Sequence, residues 1–143
     1  MPLADLHERV DRFQGRGRAR LREALALVRD GADSPPETHF RLASVRAGLP
    51  EPQLQVPLFD SAGRLLGGPD GWYPGERVAW EYEGDGHRTS NRRFARDLGR
   101  YDDFAAIGVR VVRVVVGEFL PHPERSVERV RRALADRSVG DGP

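Results

Sequence analysis

Four carboxylates are spaced as a cation site would need them. Asp70 follows Pro69 near the end of one expected strand. Glu81 and Glu83 stand at alternate positions of the next, on one face. A hairpin of that length brings Asp70 beside Glu81. Glu37, near the start of the preceding helix, reaches the same place if that helix packs on the sheet. Such a group suits phosphodiester hydrolysis. A divalent cation held there orients and deprotonates water and neutralises charge on the phosphoryl oxygens. Magnesium prefers oxygen ligands and keeps several waters, so two or three carboxylates suffice.

Each acid also has a plainer explanation. Ser34 with Glu37 three positions on is a capping box. Asp70 before Gly71 is a common turn residue. Glu81 and Glu83 fit a solvated sheet face, although acids at alternate strand positions repel unless a cation or an arginine sits between them. The bases downstream divide in the same way. Arg93, Asp97 and Arg100 recur at helical spacing, either clamping phosphate with Asp97 orienting one arginine or forming a salt-bridged solvated face. Arg88, Arg92 and Arg96 add positive charge beside the acids, as a nucleic-acid backbone requires. His87 is a general base or phosphate contact held by a nearby carboxylate, or an exposed loop histidine. Trp72 and Tyr73 stack on a base or fill the core. His39 and His122 read as ordinary surface residues.

The elements that position these groups follow from periodicity. Leu3 to Phe13 and Arg18 to Arg29 read as short helices, the second with Leu21, Leu25 and Val28 at helical spacing and Gly31 at its end. Ser34 caps a third helix with Phe40, Leu42 and Val45 on its apolar side, closed by Gly48. Leu54, Val56 and Leu58 then alternate as in a strand, Asp60 to Gly63 turns, and Arg64 to Asp70 returns with glycines at 67 and 68 that bulge or bend it. Arg77 to Glu83 is a third strand, with Val78, Trp80 and Tyr82 facing one way and Ala79, Glu81 and Glu83 the other. Asn91 to Ala106 is a helix with a stripe of Phe94, Leu98, Tyr101 and Ala105. Val109 to Val116 is a buried strand, expected to be parallel to a neighbour because a helix precedes it, and Val127, Val130 and Leu134 mark a last helix. The expected architecture is α/β: a mixed four-stranded sheet flanked by helices, with extra N-terminal helices. The expected division is a helical extension over 1–33, a domain over 34–137 and a tail over 138–143.

Composition narrows the chemistry. The absence of cysteine excludes disulfides, thiolate zinc sites and cysteine nucleophiles. All 23 basic residues are arginine, so any base at a phosphate is Arg and no step uses lysine. A net charge of +1 does not by itself announce a nucleic-acid binder. No apolar run approaches the ~20 residues needed to span a bilayer. The first residues carry no basic and apolar leader, so a cytoplasmic location is the expectation.

Taken in order, Glu37, Pro69-Asp70, Glu81-Tyr82-Glu83-Gly84 and His87 resemble the Pro-Asp, Glu-x-Asp-Gly, His pattern of a large bacterial domain-of-unknown-function family. That family is related to the very-short-patch repair endonucleases of the PD-(D/E)xK nuclease superfamily. The match runs on through Arg93, Asp97, Arg100 and Gly108 and covers roughly residues 34 to 137. The resemblance implies a restriction-endonuclease-like core and a Mg2+- or Mn2+-dependent endonuclease acting on DNA. Asp70 and Glu81 would be the central metal ligands, and Glu37 would support the metal directly or through water. Glu83 stands where the superfamily has lysine. Opposite in charge, it would serve as a further ligand or orient the attacking water. Phosphate would be held by Arg88, Arg92, Arg93, Arg96 and Arg100. Many relatives are the C-terminal part of longer actinobacterial proteins, often behind a winged-helix domain of a toxin–antitoxin kind. This suggests phage defence, toxin–antitoxin function or repair as the setting, and a winged-helix domain or protein as partner. A homodimer would cut both strands.

Three features depart from the family. Gly71 replaces an apolar strand residue, Glu83 replaces the usual Asp, and the lack of cysteine removes the structural zinc of the repair enzymes. The rival expectation is a catalytically silent module that keeps the fold to bind nucleic acid or protein.

Overall fold

The computed structural model describes residues 3–31, 34–84 and 91–138, and for residues 91–98 the backbone only. The chain divides into two compact units, residues 1–31 and 32–143. The first holds α1 (Leu3–Arg12) and α2 (Arg18–Ala26), which pack on each other. Gly17 adopts φ +91° ahead of α2, a conformation that costs glycine little. Val10 and Leu25 are buried, whereas Leu21 is exposed, and α2 stops at Ala26 rather than Arg29.

In the second unit, α3 (Pro35–Arg46) starts as its sequence dictates. The Ser34 hydroxyl accepts from the Glu37 N–H, and two prolines occupy the first turn, where no amide partner is needed. Its most buried side is Phe40, Arg41 and Ser44, not the expected Phe40, Leu42 and Val45. The buried Arg41 is paired with Glu51.

The central sheet has three strands, β3 (Gly71–Tyr73), β4 (Val78–Glu83) and β5 (Arg110–Val115), in the order β3-β4-β5. β3 runs antiparallel to β4, and β4 runs parallel to β5, as a crossover through α4 (Asn91–Ala106) requires. The expected four-stranded sheet is corrected by this arrangement. The first two expected strands instead yield a separate ladder of β1 (Leu58–Phe59) and β2 (Leu65–Gly67). The reason is local. Gly67 adopts φ +115°, and the Gln55 backbone lies 2.8 Å from where a Gly68 Cβ would sit, so the chain turns before Pro69. Gln55 itself adopts φ +49°, which breaks the run from Leu54 to Leu58. Only Gln53 bridges to the sheet, through both backbone hydrogen bonds with Trp72.

The two faces of β4 divide as its alternation predicts. Val78 and Trp80 lie in one cluster with Phe40 of α3, Phe119 of α5 (Val116–Phe119) and Val127, Val130 and Leu134 of α6 (Pro123–Ser138). Ala79 faces the other way, with Leu66, Trp72, Phe104 and Val109. Trp72 and Tyr73 are thus core residues. On α4 the fully buried side chain is Phe104, while Ala105 is exposed; the side chains of Phe94 and Leu98 lie outside the described residues.

Candidate functional site

The β3–β4 ladder opens with Gly71 paired to Trp80, so Asp70 stands just before that pair on one strand and Glu81 just after it on the other. Packing accounts for the glycine at 71. The Trp80 indole lies over it, and a Cβ there would stand 2.1 Å from Trp80 Cε2 and Nε1. Glycine lets the largest core side chain sit directly behind the acid.

Asp70 is held from both sides. Its Oδ2 accepts from the Tyr82 backbone N–H at 2.8 Å, and its Oδ1 accepts from Gln55 Nε2 at 3.0 Å. Burial, the larger influence, and the nearby charge of Glu37 push the Asp70 carboxyl above its ordinary value of 3.8. The Tyr82 and Gln55 hydrogen bonds and the Arg100 charge pull the other way without cancelling this. Glu37 therefore does two things. It accepts from the Ser34 hydroxyl at 2.7 Å at the cap of α3, and it lies close enough to Asp70 to act on it.

Glu81 is buried in the sheet, and its Oε1 lies 2.6 Å from Arg100 Nη2. Glu83 is nearer the strand end and is engaged differently. Arg113 of β5 reaches both of its oxygens through Nε and Nη2, and the Tyr101 hydroxyl donates to Oε1 at 3.0 Å. Burial and the charges of Glu81 and Glu83 raise the Tyr101 hydroxyl well above its ordinary range, so it stays a donor. The Arg113 guanidinium also lies over the Tyr101 ring, 5.4 Å from its centroid.

The four expected acids therefore lie at one end of the sheet but not in one cluster. Arg100 pairs with Glu81 and its charge also reaches Asp70, Glu37 acts on Asp70 through its charge, and Glu83 is drawn to Arg113. Among the described residues, no group of three or more His, Asp or Glu is placed to hold a metal ion. Of the expected phosphate-binding residues, the structure describes the side chain of Arg100. His87 and Arg88 lie outside the described residues, as do the side chains of Arg92, Arg93, Arg96 and Asp97. Gln55 and Arg113 are site residues that periodicity did not single out, and Tyr101, expected in the apolar stripe of α4, instead donates to Glu83. The one signal for Arg113 was its place as a charge within a valine run, opposite Glu81 in the ladder.

The fold and this site define a mixed α/β domain with an acid–arginine cluster at one end of a short sheet. Two curated relatives come from Mycobacterium tuberculosis: uncharacterized protein MT2308 (strain CDC 1551 / Oshkosh) and uncharacterized protein Rv2248 (strain ATCC 25618 / H37Rv). Each is 31% identical to this chain over 119 residues, 83% of this chain and 44% of the relative. The chain thus spans less than half the length of these relatives. No family model matches the chain, and no solved structure matches it. Among the described residues, no helix is long and apolar enough to cross a membrane.

Proposed function

We propose that this chain is a magnesium- or manganese-dependent nuclease that hydrolyses DNA phosphodiester bonds, with Asp70 and Glu81 as its metal ligands. The observation that supports this most is the Asp70 environment. Half-buried Asp70 and buried Glu81 both lie near Arg100, and a third acid, Glu37, is close enough to Asp70 to raise its proton affinity. Negative charge gathered this way is what a hard cation stabilises. The donor set fits such an ion at its minimum, because magnesium is commonly held by one or two carboxylates, with waters and substrate oxygens completing its shell. When bound, the cation would supply an activated water and charge neutralisation at the phosphoryl group.

The rest falls to the chain itself. The Tyr82 amide and Gln55 fix the orientation of Asp70. Glu37, tethered by Ser34, adds charge from the start of α3. Arg100 and the arginines at 88, 92, 93 and 96 supply the bases for a phosphate backbone in this reading. Glu83 is a positioning residue through its link to Arg113 and Tyr101 rather than a ligand.

A second reading has its own support. Arg100 on Glu81 and Arg113 on Glu83 offset two of the acids internally, as expected of a silent module that binds nucleic acid or protein without cleaving. One experiment separates the two. Manganese titration by calorimetry and a plasmid-nicking assay are run on the wild type and on Asp70→Ala/Glu81→Ala. The nuclease reading expects both cation binding and nicking to be lost in the double variant, nicking by about a hundredfold or more. Nicking that persists in the variant, or a wild type that binds no cation, rejects it.

A further inference from the structure

Two arginines meet the two β4 acids in different ways. Arg113 forks onto Glu83 through two nitrogens, the arrangement that best matches a guanidinium to a carboxylate. Arg100 brings Nη2 to 2.6 Å from Glu81 Oε1, and the same nitrogen donates to the Gly68 carbonyl at 2.9 Å. Its Nε is buried with no hydrogen-bond partner among the described residues. A guanidinium offers five N–H donors, and among the described residues the Nε donor is not taken up. The side chain is nevertheless held in place. Its guanidinium carbon lies 5.3 Å from the Phe104 ring centroid. The turn at Gly67 also leaves room for it, since a Cβ there would stand 3.3 Å from Arg100 Nε.

We infer that Arg100 is an exchangeable counter-ion: it occupies Glu81 until a divalent cation takes that carboxylate, and the released guanidinium then engages a phosphodiester oxygen. The inference rests on the nuclease reading above. Its physical basis is competition, since an arginine 2.6 Å from Glu81 Oε1 stands where a cation ligated by that oxygen must approach. The freed fork suits phosphate as well as it suits carboxylate. The Phe104 face keeps it beside the site. Cation and phosphate binding are then linked, and linkage is reciprocal, so each strengthens the other.

The test uses the full chain as wild type, Arg100→Gln and Arg100→Lys. Manganese affinity is measured by calorimetry without DNA. Affinity for a labelled DNA duplex is measured by anisotropy with calcium and with EDTA. Arg100→Gln keeps a donor for Gly68 and a stem near Phe104 and is expected to bind manganese about tenfold more tightly than the wild type. Arg100→Lys retains the charge and is expected to stay near the wild-type affinity. Calcium should tighten duplex binding about tenfold in the wild type and have little effect in Arg100→Gln. Should Arg100→Gln fail to fold, Arg100→Met serves for the same comparison. Manganese affinity that is unchanged or weaker in the charge-free variants overturns the exchange. If the wild type nicks plasmid while that affinity is unchanged, the exchange falls and the nuclease stands. If no form binds manganese, both fall.

Discussion

Asp70 carries its burial as a pH dependence of stability. Its carboxyl is raised in the folded chain by desolvation and by Glu37, so the native state binds a proton more tightly than the unfolded chain does. Between the unfolded value near 3.8 and the higher folded value, the native state holds more protons, and stability falls as pH rises through that window. Above it the cost is fully present. Asp70→Asn removes the charge and keeps an oxygen for the Tyr82 amide, while Gln55 can present its own oxygen to the new amide. In metal-free buffer this variant is expected to melt at a higher temperature than the wild type at pH 7. The difference should shrink as pH falls toward 3.8. Thermal melts in EDTA across that range check this, and a variant less stable at neutral pH would show that the carboxylate is already compensated. The same residue thus trades stability for a charge that the proposed cation would use.

At the scale of elements, much of the site was legible because strand alternation is a strict geometric rule. Val78, Trp80 and Tyr82 had to face away from Ala79, Glu81 and Glu83, and the parallel pairing of β5 followed from the helix before it. The expected helix cap at Ser34 formed for equally local reasons. The strand count was not legible, because it turned on glycine conformation. Gly67 and Gly68 could bend the chain or continue it, and the close approach of the Gln55 backbone decided between them. The short β3 was hidden for a related reason. Gly71 looked like a weakness in a strand, yet it is the space into which Trp80 packs. Gly71→Ala is accordingly expected to cost about 3 kcal/mol, because Trp80 is fully buried and has nowhere to move. Gly75→Ala, in the adjoining turn with open space around its Cβ position, should change stability by less than about 0.5 kcal/mol. Urea denaturation of both variants tests the pair, and a tolerated Gly71→Ala would mean the indole repacks. The missed counter-ions belong to another kind of information. Arg100 and Arg113 are distant in sequence from the acids they meet, and only the crossover brings them there.

Considered as a whole molecule, the chain carries its described cores in residues 32–143. Both hydrophobic clusters, both tryptophans and the acid–arginine site lie within that unit. A chain of residues 32–143 alone is expected to unfold in one cooperative transition and to keep the near-ultraviolet circular dichroism of Trp72 and Trp80. Loss of that signal with secondary structure retained would show that the unit's packing needs the first 31 residues. The parallel pairing of β4 with β5 has a further consequence, for the chain before it is complete. During synthesis β4 can pair with β3 at once, but its other edge stays open until α4 and then β5 emerge. β5 is mostly valine and β4 carries Val78, Trp80 and Tyr82, β-branched and aromatic residues of the kind prone to stick to copies of themselves. Glu81 and Glu83 interrupt the first, and Arg110 and Arg113 interrupt the second. These charges, paired once folding is done, act earlier as gatekeepers that keep nascent chains apart.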